Sequence, residues 1–172
     1  MSIRNAELKD CNDLGLTIVT ASLATFLGRI PEQCLDFSWT PAVSAANWRR
    51  DFHEINQPDR HFFVFEVNAK VIGYLLASPG TFSDGYQWSV DELYVLPSHQ
   101  GRGVGRALLS RLARELLRSG ITSLEIGCVR ENPSCGFYLH LGGNRLGART
   151  ANVDAYKTEE ILFGWPDLSV LA

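Results

Sequence analysis

Apolar residues in the early part of the chain recur at intervals of three and four positions. Between Cys11 and Phe26 they fall at positions 11, 14, 18, 21 and 24 or 25, which predicts an amphipathic helix with Asp10 as its N-cap. Thr40-Pro41 has the form of an N-cap followed by a first-turn proline, and it predicts a second helix that runs through Phe52. One or two short helical turns are predicted at 31–37.

Strand patterns dominate the middle of the chain. The segments His61 to Val67 and Val71 to Ala77 are rich in β-branched and aromatic residues, and the short link Asn68-Ala69-Lys70 predicts that they form a hairpin. Further strands are predicted at 2–6, at 86–96, at 123–129 and at 157–163.

A glycine-rich loop leads directly into a helix in the second half. The loop is Gln100 to Arg106, and the helix has an apolar face from Val104 to Leu116 with Gly120 as its C-cap. A short helix is predicted at 133–141. An antiparallel meander is thus followed by a strand–helix–strand unit, and we expect an α/β (α+β) domain with one mixed sheet covered by helices on both faces.

Length and composition are those of one globular domain. The chain has 172 residues, of which 45% are apolar and 20% charged. These values fit a single domain over residues 1–172 and exclude disordered and fibrous proteins. No apolar run is long enough to span a bilayer, and the first ten residues lack the apolar segment of a signal peptide. We therefore expect a cytoplasmic protein with no membrane partner.

Charge and cysteine spacing exclude two further classes. The 16 Lys and Arg against 19 Asp and Glu give a net charge of -3, which argues against a nucleic-acid partner. The four cysteines form no C-x-x-C pair and the histidines have no metal-ligand spacing, so we expect reduced thiols and no metal. Arginines nevertheless crowd the glycine loop and its helix, where they predict a local anion site: Arg102, Arg106, Arg111, Arg114 and Arg118.

The glycine loop has the features of a phosphate-binding turn. Its glycines allow backbone N–H groups to converge on one point, and the N-terminus of the following helix adds partial positive charge. The spacing differs from the G-x-G-x-x-G dinucleotide fingerprint, and no lysine is present for a Walker loop. A glycine-rich turn without a ligand is the alternative that the loop alone leaves open.

Three segments, taken in order, resemble the GNAT acetyltransferases. The pattern Q-x-x-G-x-G at 100–105 resembles that family's coenzyme A pyrophosphate loop, and Asp91 to Pro97 resembles the central strand before it. Asn132 to Tyr138 resembles the family's asparagine–tyrosine segment in a shortened form. The resemblance covers about residues 3–163. It implies a GNAT-like, mostly antiparallel central sheet of six to seven strands with helices on both faces.

The resemblance also implies a cosubstrate, acetyl-CoA, lying in a split between two central strands. The backbone of Leu93, Tyr94 and Val95 would pair with the pantetheine arm, and the Val95 N–H would hold the acyl carbonyl. Asn132 would bond the pantetheine or a nearby backbone group. The other cofactor-binding residues implied are Tyr138 and the loop itself, namely Gln100, Gly101, Arg102, Gly103, Val104, Gly105 and Arg106.

Acetyl transfer to an amine requires a general base, because alkyl amines have a pKa of about 10 and arrive protonated. Glu92 is the first candidate, on a strand face that alternation predicts it to share with Val90 and Tyr94. Asp91 is expected to point the other way. The substitute candidates are Glu125, Glu131 and the histidines.

A general acid is required as well, because a thiolate must leave. An alkyl thiol has a pKa of about 8.5 and a phenol of about 10, so a tyrosine can donate the proton, and Tyr138 lies at the family's general-acid position. Together with Glu92 it implies an N-acetyltransferase acting by direct attack of a primary amine in a ternary complex. The alternative is a non-catalytic acyl-CoA sensor, which would need neither residue. A third interpretation is a structural interaction module whose glycine loop binds no ligand.

The acceptor is left open by the sequence. A small amine, an amino-acid-like metabolite, an aminoglycoside-type compound and a protein N-terminus all fit, and an acyl group larger than acetyl is not excluded. Gly143 stands where many relatives carry an aromatic residue, a departure that we expect to affect the acceptor side. Ile161 to Pro166 is apolar enough either to pair between subunits of a homodimer or to finish the core. The aromatic candidates for the acceptor pocket are Phe37, Trp39, Trp48, Phe52 and Trp88.

Overall fold

The computed structural model describes all residues from 1 to 172. The helices are α1 (Cys11–Phe26), α2 (Pro41–Ile55), α3 (Val104–Arg118) and α4 (Cys135–His140). The strands are β1 (Ser2–Asn5), β2 (His61–Val67), β3 (Lys70–Pro79), β4 (Trp88–Val95), β5 (Leu124–Val129), β6 (Asn144–Val153) and β7 (Tyr156–Trp165).

The strands form one seven-stranded sheet in the order β1-β2-β3-β4-β5-β7-β6. All neighbouring pairs are antiparallel except β4 and β5, which are parallel. Helices α1 and α2 cover one face, while α3 and α4 cover the other. The predicted mixed, mostly antiparallel sheet with helices on both faces is confirmed. No helix in the structure combines the length and apolar character needed to cross a membrane.

Each face of the sheet has its own apolar core. Beneath α1 and α2, Trp48 packs against Phe62 and Tyr74, with ring centroids 5.3 and 5.6 Å apart. Beneath α3, the buried leucines of the helix pack on Phe63 and Leu75. Burying each such side chain contributes about 1.5–3 kcal/mol, so both faces of the central strands are firmly held.

Strand β6 is absent from the sequence-based prediction. Its ten residues are mostly exposed and polar, because β6 lies at the edge of the sheet and has no buried face to impose a period of two. It is held by its hairpin with β7, whose register runs from Asn144↔Gly164 to Val153↔Tyr156. Pairing across the hairpin, rather than local pattern, therefore decides this strand.

Asp10 occupies the predicted N-cap position of α1, but its side chain does not cap the helix. Its carboxylate accepts hydrogen bonds from the Arg4 guanidinium at 2.7 and 2.8 Å and from the Glu7 N–H at 2.9 Å, and it makes no side-chain cap on α1. Although burial raises it, the pKa of Asp10 lies below its ordinary value because Arg4 and Glu7 donate to the carboxylate. A turn of 3-10 helix at 8–10 leads directly into α1 instead.

The segment Ile161 to Pro166 completes the core of its own chain. β7 pairs with β5 along one edge and with β6 along the other, and Phe163 and Trp165 are buried. Both edges of this strand are used within the chain, so it offers no free edge for pairing with a second copy.

Candidate active site

The two parallel strands at the centre of the sheet separate after a short contact. β4 and β5 pair only at Trp88↔Leu124, Ser89↔Glu125 and Val90↔Ile126. Beyond these pairs a gap opens between the ends of the two strands. The Leu96 N–H donates to the Ile72 carbonyl at 2.9 Å, toward β3. Because backbone groups alternate sides along a strand, the N–H groups of Leu93 and Val95 face the open gap.

A β-bulge in β4 decides which side chains reach the gap. Leu76 pairs with Glu92 and Ala77 with Val90, so Asp91 is left without a partner on β3. Val90 consequently packs in the core under α3, whereas Glu92 lies on the α1–α2 side. The expectation that Glu92 shares a face with Val90 is wrong, because the bulge inserts one residue between them.

Two cavities open from the gap and meet at Leu93 and Tyr138, the residues that line both. One, of about 540 Å³, extends along the loop 100–106 toward α4, and we call it the glycine-loop cavity. The other, of about 320 Å³, lies between α1, the α1–α2 loop and the β6–β7 hairpin. We call it the carboxylate cavity, after Glu92 and Asp91 on its wall.

The glycine loop exposes backbone donors to its cavity. Gly101 and Gly103 have φ values of +70° and +83°, a left-handed conformation that favours glycine, and a Cβ at either position would meet nothing within 4 Å. Gly103 is the N-cap of α3, and no side chain caps the first N–H groups of the helix. These free donors, with Arg106 beside them, form the arrangement that binds pyrophosphate oxygens.

Most of the residues expected to bind acetyl-CoA lie around the glycine-loop cavity. They are Leu93, Val95, Gln100, Gly101, Gly103, Val104, Gly105, Arg106 and Tyr138. Tyr94 and Asn132 line the carboxylate cavity instead, and the Asn132 side-chain oxygen accepts from the Ser134 N–H at 2.9 Å. Arg102 is exposed and lines neither cavity, so its placement with the loop ligands is not supported.

Glu92 is partly buried at the wall of the carboxylate cavity. The Tyr74 hydroxyl donates to its carboxylate at 2.6 Å. Burial raises the pKa of Glu92 to about 7 and the charge of Asp91 adds to the increase, while the hydrogen bond from Tyr74 opposes it. No local sequence pattern points to Tyr74, because only the strand register brings its hydroxyl to Glu92.

Tyr138 stands at the junction of the two cavities. Its side chain is only 5% exposed and packs on Phe163 and Trp165. Its hydroxyl makes no hydrogen bond within the chain, and burial raises its pKa well above the ordinary value. The residue therefore presents a protonated, unpartnered hydroxyl where the cavities meet.

The substitute bases lie elsewhere. Glu125 is fully buried beneath the β3–β4 loop, where it accepts from the Phe82 N–H, and Glu131 accepts from the Thr158 hydroxyl at 2.6 Å. Neither lines a cavity described above. Among the histidines, His99 and His140 line the glycine-loop cavity, whereas His61 stacks on Phe63 and His53 is exposed.

The carboxylate cavity has a cover that sequence analysis missed. The Asp36 N–H donates to the Asp154 carboxylate at 2.9 Å, and the Ala155 N–H donates to the Cys34 carbonyl at 3.2 Å. These two bonds join the α1–α2 loop to the β6–β7 hairpin across more than a hundred residues of sequence. No local pattern could reveal such a contact.

Of the aromatic candidates for the acceptor pocket, Trp39 alone lines the carboxylate cavity. Trp48 and Phe52 are core residues. Gly143 lies outside both cavities, and a Cβ there would be 2.9 Å from the Trp165 ring, which fills the space that an aromatic side chain would need. The structure therefore places Gly143 in contact with the core and not on the wall of either cavity.

Comparisons with known proteins agree with this geometry. The model of the Acetyltransferase (GNAT) family matches residues 26–142. The uncharacterized N-acetyltransferase YuaI of Bacillus subtilis is 26% identical over 174 residues, covering 99% of this chain and 96% of that protein. The L-methionine sulfoximine/L-methionine sulfone acetyltransferase of Salmonella typhimurium is 39% identical over 82 residues, 43% of this chain and 48% of that protein.

Solved structures share the fold over nearly the whole chain. The structure of yncA from Salmonella typhimurium with its cofactor acetyl-CoA has a TM-score of 0.66 and 26% identity, covering 98% of this chain and 94% of that one. An N-acetyltransferase from Staphylococcus aureus has a TM-score of 0.68 and 22% identity, covering 97% and 98% of the two chains.

Proposed function

The chain belongs to the GNAT acetyltransferase family and is an acyltransferase, and we propose that it moves an acetyl group from acetyl-CoA to a primary amine in a ternary complex. The observation that carries this proposal is the meeting of two cavities at Leu93 and Tyr138. A donor in one cavity and an amine in the other would approach each other directly. No covalent intermediate on the enzyme is then required.

The glycine-loop cavity fits the donor. The uncapped N–H groups at the start of α3 and the positive charge of Arg106 suit a pyrophosphate, and no Asp or Glu lines this cavity. The Val95 N–H on the open edge of β4 would donate to an amide carbonyl of the pantetheine arm. The bound thioester supplies an activated acetyl carbonyl. Because Leu93 lines both cavities, its N–H is better placed than that of Val95 to stabilise negative charge developing on the carbonyl oxygen.

Glu92 is the general base of this proposal. A carboxylate with a pKa of about 7 is a stronger base than an ordinary glutamate and is still ionised in about half of the molecules at neutral pH. The incoming amine has a pKa of about 10 and arrives protonated, so it cannot attack the thioester until Glu92 removes that proton. The hydrogen bond from Tyr74 fixes the orientation of the carboxylate.

Tyr138 is the general acid. As the nitrogen–carbon bond forms and the carbon–sulfur bond breaks, its hydroxyl would give a proton to the departing sulfur. The second proton lost by the nitrogen would return to Tyr138 through solvent. The raised pKa keeps the hydroxyl protonated at neutral pH, so that a proton is available when the sulfur departs, and the proton returned from the nitrogen offsets the cost of donating it.

The donor site is tested by calorimetric titration of acetyl-CoA into wild type and Gly103→Asp. A carboxylate at this position faces the pyrophosphate and should weaken binding by at least about tenfold. Gly103→Asn separates charge from bulk at the same site. Gly120→Asp is the positional control, since Gly120 also has a positive φ of 76° but lies beyond the opposite end of α3. Equal affinity for wild type and Gly103→Asp would contradict the proposal.

The carboxylate cavity favours catalysis over acyl-CoA sensing. A sensor needs the glycine-loop cavity alone, whereas this chain adds a base and an acid at the entrance to a second cavity. A thiol-release assay over a panel of amines distinguishes the two. Binding of acetyl-CoA without thiol release from any amine would establish the sensor instead.

A further inference from the structure

The charged side chains that line the carboxylate cavity are all acidic. They are Asp36, Asp91, Glu92, Asp154 and Glu160, and no Lys, Arg or His is among the lining residues. The glycine-loop cavity has the opposite character, with Arg106, His99 and His140 on its wall and no carboxylate. The junction formed by Leu93 and Tyr138 thus separates an acidic cavity from a cavity whose charged side chain is basic.

Most of this negative charge has no cation to neutralise it. Glu160 is paired with Arg149 outside the cavity. Asp36, Asp91 and Asp154 form no salt bridge. Asp36 accepts from the Ser38 N–H and hydroxyl, bonds that hold the pKa of its carboxyl below the ordinary value, so it stays ionised.

An independent observation indicates that this space receives a polar ligand. The Tyr138 hydroxyl, on a side chain about nineteen-twentieths buried, reaches the junction without any partner in the chain. The hydroxyl is therefore free to form a hydrogen bond with a ligand in the cavity. The acidic side chains therefore line a cavity that a polar ligand can enter, and Asp36, Asp91 and Asp154 are also exposed to solvent.

The size and cover of the cavity limit the ligand to a small molecule. Its volume of about 320 Å³ lies at the lower end of the range for small-molecule sites. The bonds Asp36–Asp154 and Cys34–Ala155 close it on one side, and Phe26, Leu35 and Trp39 supply apolar surface. A short hydrocarbon chain with charged ends matches this lining.

We infer that the acceptor is a small aliphatic amine that carries a second cationic group and no carboxylate, such as an alkyl diamine. This inference rests on the proposed acetylation of amines and specifies the acceptor class. Acidic groups around a cleft raise the local concentration of cations, and they repel a carboxylate that finds no positive partner. An amino-acid acceptor is disfavoured for the same reason.

Three amines with the same four-carbon chain test the inference. In butane-1,4-diamine the fourth carbon carries an ammonium group, in butylamine it is a methyl group, and in 4-aminobutanoate it is a carboxylate. Calorimetry with the protein saturated in coenzyme A measures their binding without turnover, and thiol release measures kcat/KM. We expect the diamine to exceed butylamine by about tenfold in both, with 4-aminobutanoate weakest, and the preference to shrink at high salt.

Variants identify the groups responsible. Asp91→Asn and Asp36→Asn should lower kcat/KM for the diamine more than for butylamine. Asp59→Asn is the matched control, because Asp59 is equally exposed but lies in the turn after α2, away from both cavities. The same loss of diamine preference in Asp59→Asn would indicate a general charge effect and overturn the assignment.

The outcomes separate this inference from the proposed function. Binding or turnover of 4-aminobutanoate equal to that of the diamine overturns the acceptor class, and so does a protein that binds none of the three amines. Failure of acetyl-CoA to bind, or the lack of thiol release with every amine tested, refutes the proposed function itself.

Discussion

Glu92 shows how a single side chain acquires its chemistry from its surroundings. It lies against a buried tyrosine, it is partly withdrawn from water, and Asp91 adds a like charge beside it. Burial penalises the charged form and moves the pKa toward neutrality, while the Tyr74 hydroxyl keeps the carboxylate oriented. Burial also raises the pKa of Tyr138, which keeps that phenol protonated.

Tyr74→Phe should shift the pH dependence of the reaction. Removing the hydroxyl removes the hydrogen bond that lowers the pKa of Glu92, so that pKa rises above about 7. The rise of kcat/KM with pH should move to higher pH in the variant. A profile measured with butylamine that matches wild type would assign Tyr74 a packing role only.

Tyr138→Phe should lower kcat by at least about tenfold and leave the Kd of acetyl-CoA nearly unchanged. The substitution keeps the ring that packs on Phe163 and Trp165 and removes only the unpartnered hydroxyl. Steady-state kinetics and calorimetry on the same preparation measure both quantities. Equal turnover in the two proteins would discard the acid role.

At the scale of secondary-structure elements, the site depends on the N-terminus of α3, the β-bulge in β4 and the end of the β6–β7 hairpin. The first turn of α3 contributes uncapped donors because Gly103, in a left-handed conformation, provides no side-chain cap. The bulge at Asp91 turns Glu92 toward α1 and α2 instead of the core under α3. The β6–β7 hairpin reaches across the sheet to the α1–α2 loop and covers the carboxylate cavity.

Asp154→Gly should raise the KM for the amine several-fold more than Asp154→Asn. Asp154 has a φ of +49°, which glycine and asparagine both tolerate, and both substitutions remove its charge. Only glycine also removes the acceptor of the Asp36 N–H, which would loosen the cover. Amine KM values at saturating acetyl-CoA give the comparison, and equal values would show that the hydrogen bond does not hold the cavity closed.

At the scale of the whole molecule, the buried carboxylate of Glu92 lowers the free energy of unfolding at neutral and higher pH. The folded state raises the pKa of Glu92 from 4.5 to about 7, so it binds the proton more tightly than the unfolded chain does. The stability associated with protonated Glu92 is fully present below pH 4.5. It is lost as the pH rises to about 7, above which the folded protein bears the full cost of the buried charge.

Above pH 7, Glu92→Gln should therefore have a larger free energy of unfolding than wild type, by at most about 3 kcal/mol, and should lose most of its activity. The amide can still accept from Tyr74 and carries no charge. Thermal or urea unfolding of both proteins from pH 4 to 8 should show curves that converge at the acid end. A difference that does not vary with pH would contradict the assigned burial of Glu92.

The fold was predictable where the pattern is local. Helix α1 has the predicted bounds, the β2–β3 hairpin is present, and the glycine loop opens α3. The polar edge strand β6 was not predictable, because its pairing with β7 is its main constraint. Motif order singled out Glu92 and Tyr138, both of which line the carboxylate cavity, but it did not reveal Tyr74 or the cover formed by Asp36 and Asp154.

The sequence by itself determined the parts of the site that lie within a few residues of one another. The glycine loop and the start of α3 depend on backbone conformations that glycines permit locally. Only the tertiary structure decided which face Glu92 occupies, which hydroxyl it meets and where the negative charge gathers. These features arise from strand register and from loops joined across the sheet, and such contacts are set by packing of the whole chain rather than by any short segment.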